Sequence, residues 1–257
     1  VSKPSFSQEL NGELYPECPG ALNVGNYSAH GLALKTKSAE VYDLFITSHG
    51  AREAIEMFEL DLSSGSASLK WTGCVPLDES IMHNSVAILN DGGFVTTQFM
   101  TWSGGLESVV SGQARGSVVE WHPAGAPSVM DGTELSGPNG IAVSDDEKYM
   151  YVAAIGTRTI ARFDLTQGNE RAVSGVLDSN PDNLRWGRTG KLLTAGSNAS
   201  GNGWSVVEID SETLDFNTLG GMSSVAALQN ASTAIEINDN IWVGTYNGDR
   251  VGYFSRN

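Results

Sequence analysis

With 257 residues and 40% hydrophobic content, the chain is long enough to bury a substantial core. Its formal charge of −15 argues against nucleic acid and anionic membrane surfaces as partners, and no apolar run approaches the roughly 20 residues of a membrane span. The 30 glycines, with many Ser, Thr and Asn residues, imply frequent turns and an all-β chain.

Residues 1–29 are irregular, with short strands expected at 13–15 and 21–24. From His30 the pattern sharpens. Strands are predicted at 30–35, 42–49, 55–61 (clean alternation) and 67–71, and four short antiparallel strands joined by polar turns make one propeller blade. The next unit has strands at 84–89 and 94–99 around the turn 90–93. A Gly/Ser-rich insertion at 100–115 follows, expected to be a lid or pocket loop, then a strand at 116–121. A third unit opens at Asn139 with strands at 141–144, 149–153 and 159–164. The fourth runs through 182–186, 191–196 and 204–210, and the last through 232–237, 240–246 and 250–254. No stretch carries a convincing amphipathic helix.

The units begin at His30, Asn84, Asn139, Asn183 and about Ser232. Their spacing of roughly 45 to 55 residues is that of propeller blades. The expectation is a single six-bladed β-propeller over residues 1–257. Five blades are visible after residue 29, and the sixth is drawn from the N-terminal segment or from a segment before it.

The first strand of each blade lines the central channel, so residues at equivalent positions converge on the axis. Those positions hold His30, Asn84, Asn139, Asp182 and Asn183, with Ser232 or Thr233 in the last unit. Amide oxygens and a carboxylate meeting at one point suit a hard cation such as calcium. Asn and Asp also cap turns before strands, but a set in repeat register favours the convergent reading.

The same residues carry a resemblance. The run 138–153 (PNGIAVSDDEKYMYVA) resembles the hallmark of the senescence marker/gluconolactonase/strictosidine synthase superfamily, and is more similar to its paraoxonase branch. Ala29-His30-Gly31-Leu32 resembles that branch's Pro-His-Gly-Ile segment, and residues 44–49 resemble the following strand, which also ends in His. His83-Asn84-Ser85-Val86-Ala87 resembles Asn-Asp-Ile-Val-Ala, and Pro181-Asp182-Asn183-Leu184 resembles the Asp-Asn-Ile element. Residues 231–234 and 242–245 resemble the closing blade.

The resemblance implies a calcium-dependent hydrolase of lactones or aryl and carboxylic esters. Asn84, Asn139, Asp182 and Asn183 would be calcium ligands, and His30 and His49 a histidine pair above the metal. His30, assisted by His49, would activate water; Asp182 is the alternative base or nucleophile. Three departures stand out. The family's first-blade glutamate ligand would lie before Val1, and Glu9, Glu13 and Glu17 are not in its context; Val1 in place of Met reads as a processed or trimmed start, so a separate N-terminal fragment, or another subunit, is an expected partner. Ser85 replaces the aspartate of a second, structural calcium site, which is therefore expected to be lost. Gly137 stands where a pocket aromatic is expected, implying a wider pocket that Trp102 and Tyr246 partly fill. The other readings are a strictosidine synthase-like condensing enzyme, which depends on a glutamate and needs no metal, and a non-catalytic secreted propeller used for binding.

Sequons at Asn26, Asn198 and Asn230 point to a secreted glycoprotein. Cys18 and Cys74 either pair in an oxidising compartment or remain as two buried thiols.

Overall fold

The computed structural model describes residues 5–256; Val1, read above as a processed start, lies outside them. Its strands fall into five main sheets in chain order, each with its first strand innermost. Blade one comprises Tyr27–Ser38, Val41–Gly50, Ala54–Asp61 and Ser68–Pro76, with Ser5–Gln8 added in parallel to its outer edge. Blade two comprises Ile81–Ile88, Phe94–Thr101, Val118–Trp121 and Ser128–Val129. Blade three runs Pro138–Val143, Tyr149–Ala154, Thr159–Asp164, Glu170–Val173. Blade four runs Leu184–Trp186, Leu192–Ser197, Trp204–Ile209, Phe216–Gly221, and blade five Ala231–Ile237, Asn240–Thr245, Gly252–Ser255.

Strand alternation explains how the blades stack. Along Tyr149–Ala154, Met150, Val152 and Ala154 bury toward blade two while Tyr151 and Ala153 bury toward blade four. Each strand thus feeds two interblade cores, because successive side chains leave opposite faces of a sheet. Among the described residues four such cores join blades one to two, two to three, three to four and four to five. None joins blade five to blade one. Five blades are therefore described, and the sixth of the sequence expectation is not among these residues.

The N-terminal region departs from expectation. Residues 13–15 and 21–24 form no strand; instead Ser5–Gln8 is the added strand and Val24–Asn26 a short 3-10 helix. The alternation there was too short to fix a pairing partner. The segment is held by burial of Tyr15, Cys18 and Leu22 in the first interblade core, and by the disulfide between Cys18 and Cys74, which settles the pairing. The insertion at 100–115 contains the helix Gly105–Val110, six residues that are too few to show helical periodicity in sequence. No helix among the described residues is long and apolar enough to cross a membrane.

Candidate functional site at the propeller channel

Four inner strands share one irregularity. The pairing register shifts between Ala29 and Leu32, His83 and Val86, Pro138 and Ile141, and Ala231 and Thr233. A bulge leaves residues out of the ladder and re-aims their side chains. The bulged positions hold His30, Asn84, Asn139 and Ser232, and in blade four Asp182 and Asn183 stand just before the inner strand. Repeat register in sequence is thus bulge register in structure.

Glycine makes the convergence possible. A Cβ on Gly31, next to His30, would lie 2.2 Å from the Asn84 carbonyl oxygen; one on Gly140, next to Asn139, would lie 2.3 Å from that of Asp182. Neighbouring inner strands approach too closely for any larger residue. The contact is sealed by the Gly140 N–H, which donates to Asp182 O at 3.0 Å, and by the Thr97 hydroxyl, which donates to Asn139 O at 2.6 Å.

His30, Asn84, Asn139 and Asp182 line a single cavity of about 620 Å³, with Phe99, Leu106, Ile155 and Tyr246 among its apolar walls. The structure thus brings four of the six predicted site residues onto one space. Asn183 is not among the lining residues: its amide nitrogen donates to Ser232 O at 3.1 Å and to Asp182 Oδ1 at 3.4 Å. His49 is buried behind His30, with its Nε2 2.8 Å from His30 Nδ1. Leu106, from the insertion helix, makes the expected pocket loop part of the wall. The space beside Gly137 is occupied by Val109 of the same helix, whose Cγ1 would sit 2.8 Å from an added Cβ. Trp102 does not line the cavity but meets His49 edge-on at 5.4 Å.

Asn84 and Asn139 are buried, and the Oδ1 of each lacks any hydrogen-bond donor. Buried amide oxygens are normally paired, so two unpartnered ones on one cavity suit an electropositive ligand. Burial pushes the Asp182 carboxyl up to about 7, against the opposing pull of the Asn139 amide and the Arg185 charge. A cation would remove that penalty on the ionised form. Among the described residues no group of three or more His, Cys, Asp or Glu side chains is spaced for a metal. An amide-rich oxygen set suits a hard cation rather than a transition metal. The residues fit calcium. Ser85 is buried with its hydroxyl unpartnered, and its N–H donates to Thr97 Oγ1.

Behind His30 lies a relay that sequence reasoning missed in part. His49 Nδ1 is 2.6 Å from Glu53 Oε1, and the other carboxylate oxygen of Glu53 is 3.6 Å from His83 Nδ1. His49, Glu53 and His83 are all buried. Burial opposes the charge on Glu53, but the hydrogen bonds from His49 and His83 outweigh it and hold its carboxyl below the usual range. Although His30 opens on solvent at the cavity, the protein packed around its ring pushes the imidazole down to about 4, reinforced by His49 and opposed by Glu53. The residue before Glu53, Arg52, is not part of the relay and pairs with buried Glu56 through Nε and Nη2 at 2.6 and 2.9 Å. The signal available in sequence was the acidic residue four positions after His49, within the tight turn to the next strand.

On its opposite side the channel is bridged by Arg185, which donates to Leu32 O at 3.0 Å from blade four across to blade one. A second, more apolar cavity of about 780 Å³ lies there, lined by Leu32, Leu34, Val143, Trp186 and Ile235.

The fold and the site define the class: a β-propeller with a cavity at one channel mouth, walled by the recurring geometry of its own bulged inner strands rather than by loops alone. Residues 40–228 match the model of the SMP-30/Gluconolactonase/LRE-like region, and the chain belongs to that family. No curated protein matches it. Its fold is similar to that of a luciferin-regenerating enzyme (TM-score 0.54, 15% identity, 84% of this chain and 69% of that one). It is also similar to a streptogramin B lyase (0.55, 15%, 91% and 70%) and to a chain of a nidogen/laminin complex (0.61, 12%, 91% and 78%). These likenesses show the fold alone.

Proposed function

We propose that the chain is a calcium-dependent hydrolase of lactones or of aryl and carboxylic esters, of the paraoxonase-like kind. The observation that carries this reading is the pair of orphaned amide oxygens, Asn84 Oδ1 and Asn139 Oδ1, meeting Asp182 on a cavity that also holds His30. Asn84, Asn139 and Asp182 would hold the ion directly, while Asn183, off the cavity, would orient Asp182 through its amide. Bound there, calcium supplies Lewis-acid polarisation of the substrate carbonyl.

The chain's own residues handle water and protons. His30, neutral at working pH because its imidazole is pushed down, accepts a proton from a water as that oxygen adds to the carbonyl carbon. The ester C–O bond then breaks, and the same proton returns to the leaving oxygen, so a lactone opens to a hydroxy acid. Phe99, Leu106, Ile155 and Tyr246 give the cavity an apolar wall for the body of the substrate. Asp182 belongs to the ion in this scheme, which assigns the base to His30. The condensing-enzyme reading depends on a glutamate, and among the described residues no glutamate lines the cavity.

The disulfide and the exposure of Asn26 and Asn230 support passage through the secretory pathway as a glycoprotein. A sixth blade from a separate N-terminal segment fits the missing core between blades five and one.

The test is calorimetric titration with calcium together with thermal unfolding in EDTA. Stoichiometric binding and a melting point lowered by chelation are expected, because a ligand held by three blades stabilises only the folded state. Asn139→Ala should abolish binding and hydrolysis of a model lactone together. Indifference of the melting curve to both calcium and EDTA would remove the metal from the scheme.

A further inference from the structure

The tautomers of the two site histidines follow from their partners. Glu53 is ionised, so at 2.6 Å its Oε1 can only accept, and His49 Nδ1 must carry the hydrogen. In a neutral His49 the other nitrogen, Nε2, is then an acceptor. His30 Nδ1, 2.8 Å away, must donate to it. A neutral His30 therefore has one bare nitrogen, Nε2, and His30 is the member of the pair that lines the cavity. The order of donation runs one way, from His30 to His49 to Glu53.

We propose that Glu53 is a positioning residue which, through His49, fixes His30 as the Nδ1–H tautomer with Nε2 free to accept a proton from water. The consequence for the reaction rests on the hydrolase reading above, whereas the tautomer assignment does not. Three features hold Glu53 for this task. It is buried, so water does not compete for its oxygens. It sits in the turn between Val41–Gly50 and Ala54–Asp61, where its backbone carbonyl also accepts from Leu77 N at 2.9 Å. Its second oxygen is approached by the His83 N–H at 3.5 Å and by His83 Nδ1 at 3.6 Å, both from the strand that carries Asn84. Glu53 thus ties the histidine pair to the strand of a proposed calcium ligand. Trp102 packs edge-on against His49 at 5.4 Å. An imidazole oriented by a carboxylate in this way is held in the tautomer that general-base work needs.

The experiment is nitrogen-15 NMR of the histidine side chains in the intact protein at neutral pH, followed by kinetics of two variants. In the wild type, His30 and His49 should both show protonated Nδ1 and bare Nε2. An Nε2–H tautomer of either ring, or a doubly protonated His49, overturns the proposal without any variant having to fold. Glu53→Leu, which keeps the volume and removes the acceptor, should lose the single-tautomer signature and about 10²-fold in kcat with KM little changed. Glu53→Gln, which can still accept from His49, should recover part of both. A Glu53→Leu protein with the wild-type nitrogen shifts and kcat would equally overturn it. Absence of lactone hydrolysis in the wild type with the predicted tautomers present would refute the hydrolase reading and leave the positioning role of Glu53 standing.

Discussion

At the residue scale the question is which group takes the proton. His30 and Asp182 are both shifted, in opposite senses: burial lowers the imidazole to about 4 and raises the carboxyl to about 7. The two therefore predict different pH profiles. A base works when deprotonated, so activity is present above its pKa and lost as pH falls through it. With His30 as base, kcat/KM at saturating calcium should hold from pH 8 to below 6 and decline only toward about 4. An acid limb centred near 7 would transfer the role to Asp182 and show that the ion does not hold its carboxylate ionised. His30 was legible in sequence through its place in a recurring unit and through resemblance, His49 through resemblance alone. Glu53 and His83 were not, because neither occupies a repeat position; they matter only through contacts that a turn and a neighbouring strand bring about.

At the element scale, the site depends on inner strands that come closer than ordinary sheets allow. The sequence showed the recurring polar residue followed by glycine in His30-Gly31 and Asn139-Gly140, but not why glycine was needed. Blade order, the three inner strand runs of blades three to five and the pocket role of the insertion were also legible, since period-2 alternation and polar turns are local signals, whereas the outer strands Glu170–Val173 and Phe216–Gly221 were not. The bulges and the parallel strand Ser5–Gln8 were not, since each depends on its pairing partner, and the six-residue helix was not, since it is too short to show a period. Gly140→Ala tests the close approach directly. Its Cβ would press on the Asp182 carbonyl oxygen at 2.3 Å and on Leu184 N at 2.4 Å, so blades three and four must part. Unfolding free energy should fall by about 1–3 kcal/mol, and calcium affinity should fall with it, because Asn139 and Asp182 are the residues driven apart. Unfolding in urea and a calcium titration on the same variant check both. Loss of stability with unchanged affinity would show that the site does not rely on this contact.

At the scale of the whole molecule, among the described residues four interblade cores hold five blades in series, and none joins the fifth blade to the first. Leu32 and Leu34 on the first inner strand and Ile235 and Ile237 on the last are exposed, the first three of these on the second channel cavity. Blade one must therefore be held from elsewhere, and the N-terminal segment does this. Without regular strands between residues 9 and 23, it still buries Tyr15, Cys18 and Leu22 against Phe45, Trp71 and Trp121. Ordering such a segment costs roughly 1–2 kcal/mol of backbone entropy per residue, which three buried side chains offset only in part. Gln8 and Leu22 exchange two hydrogen bonds, and Arg52 donates to Gly20 O, but each is a single local tie. The Cys18–Cys74 bond closes a loop across a sequence separation of 56 and restricts the unfolded chain instead. By loop-closure entropy a bond of that span is worth about 4 kcal/mol. The double variant Cys18→Ser with Cys74→Ser should accordingly unfold at markedly lower urea, with the loss of protection in hydrogen exchange concentrated in residues 9–26 and the outer strand Ser68–Pro76. Blades three and four, whose cores the segment does not touch, should keep their protection under native conditions. A loss below about 1 kcal/mol would mean that packing of Tyr15 and Leu22, and not the covalent tie, holds the first blade in place.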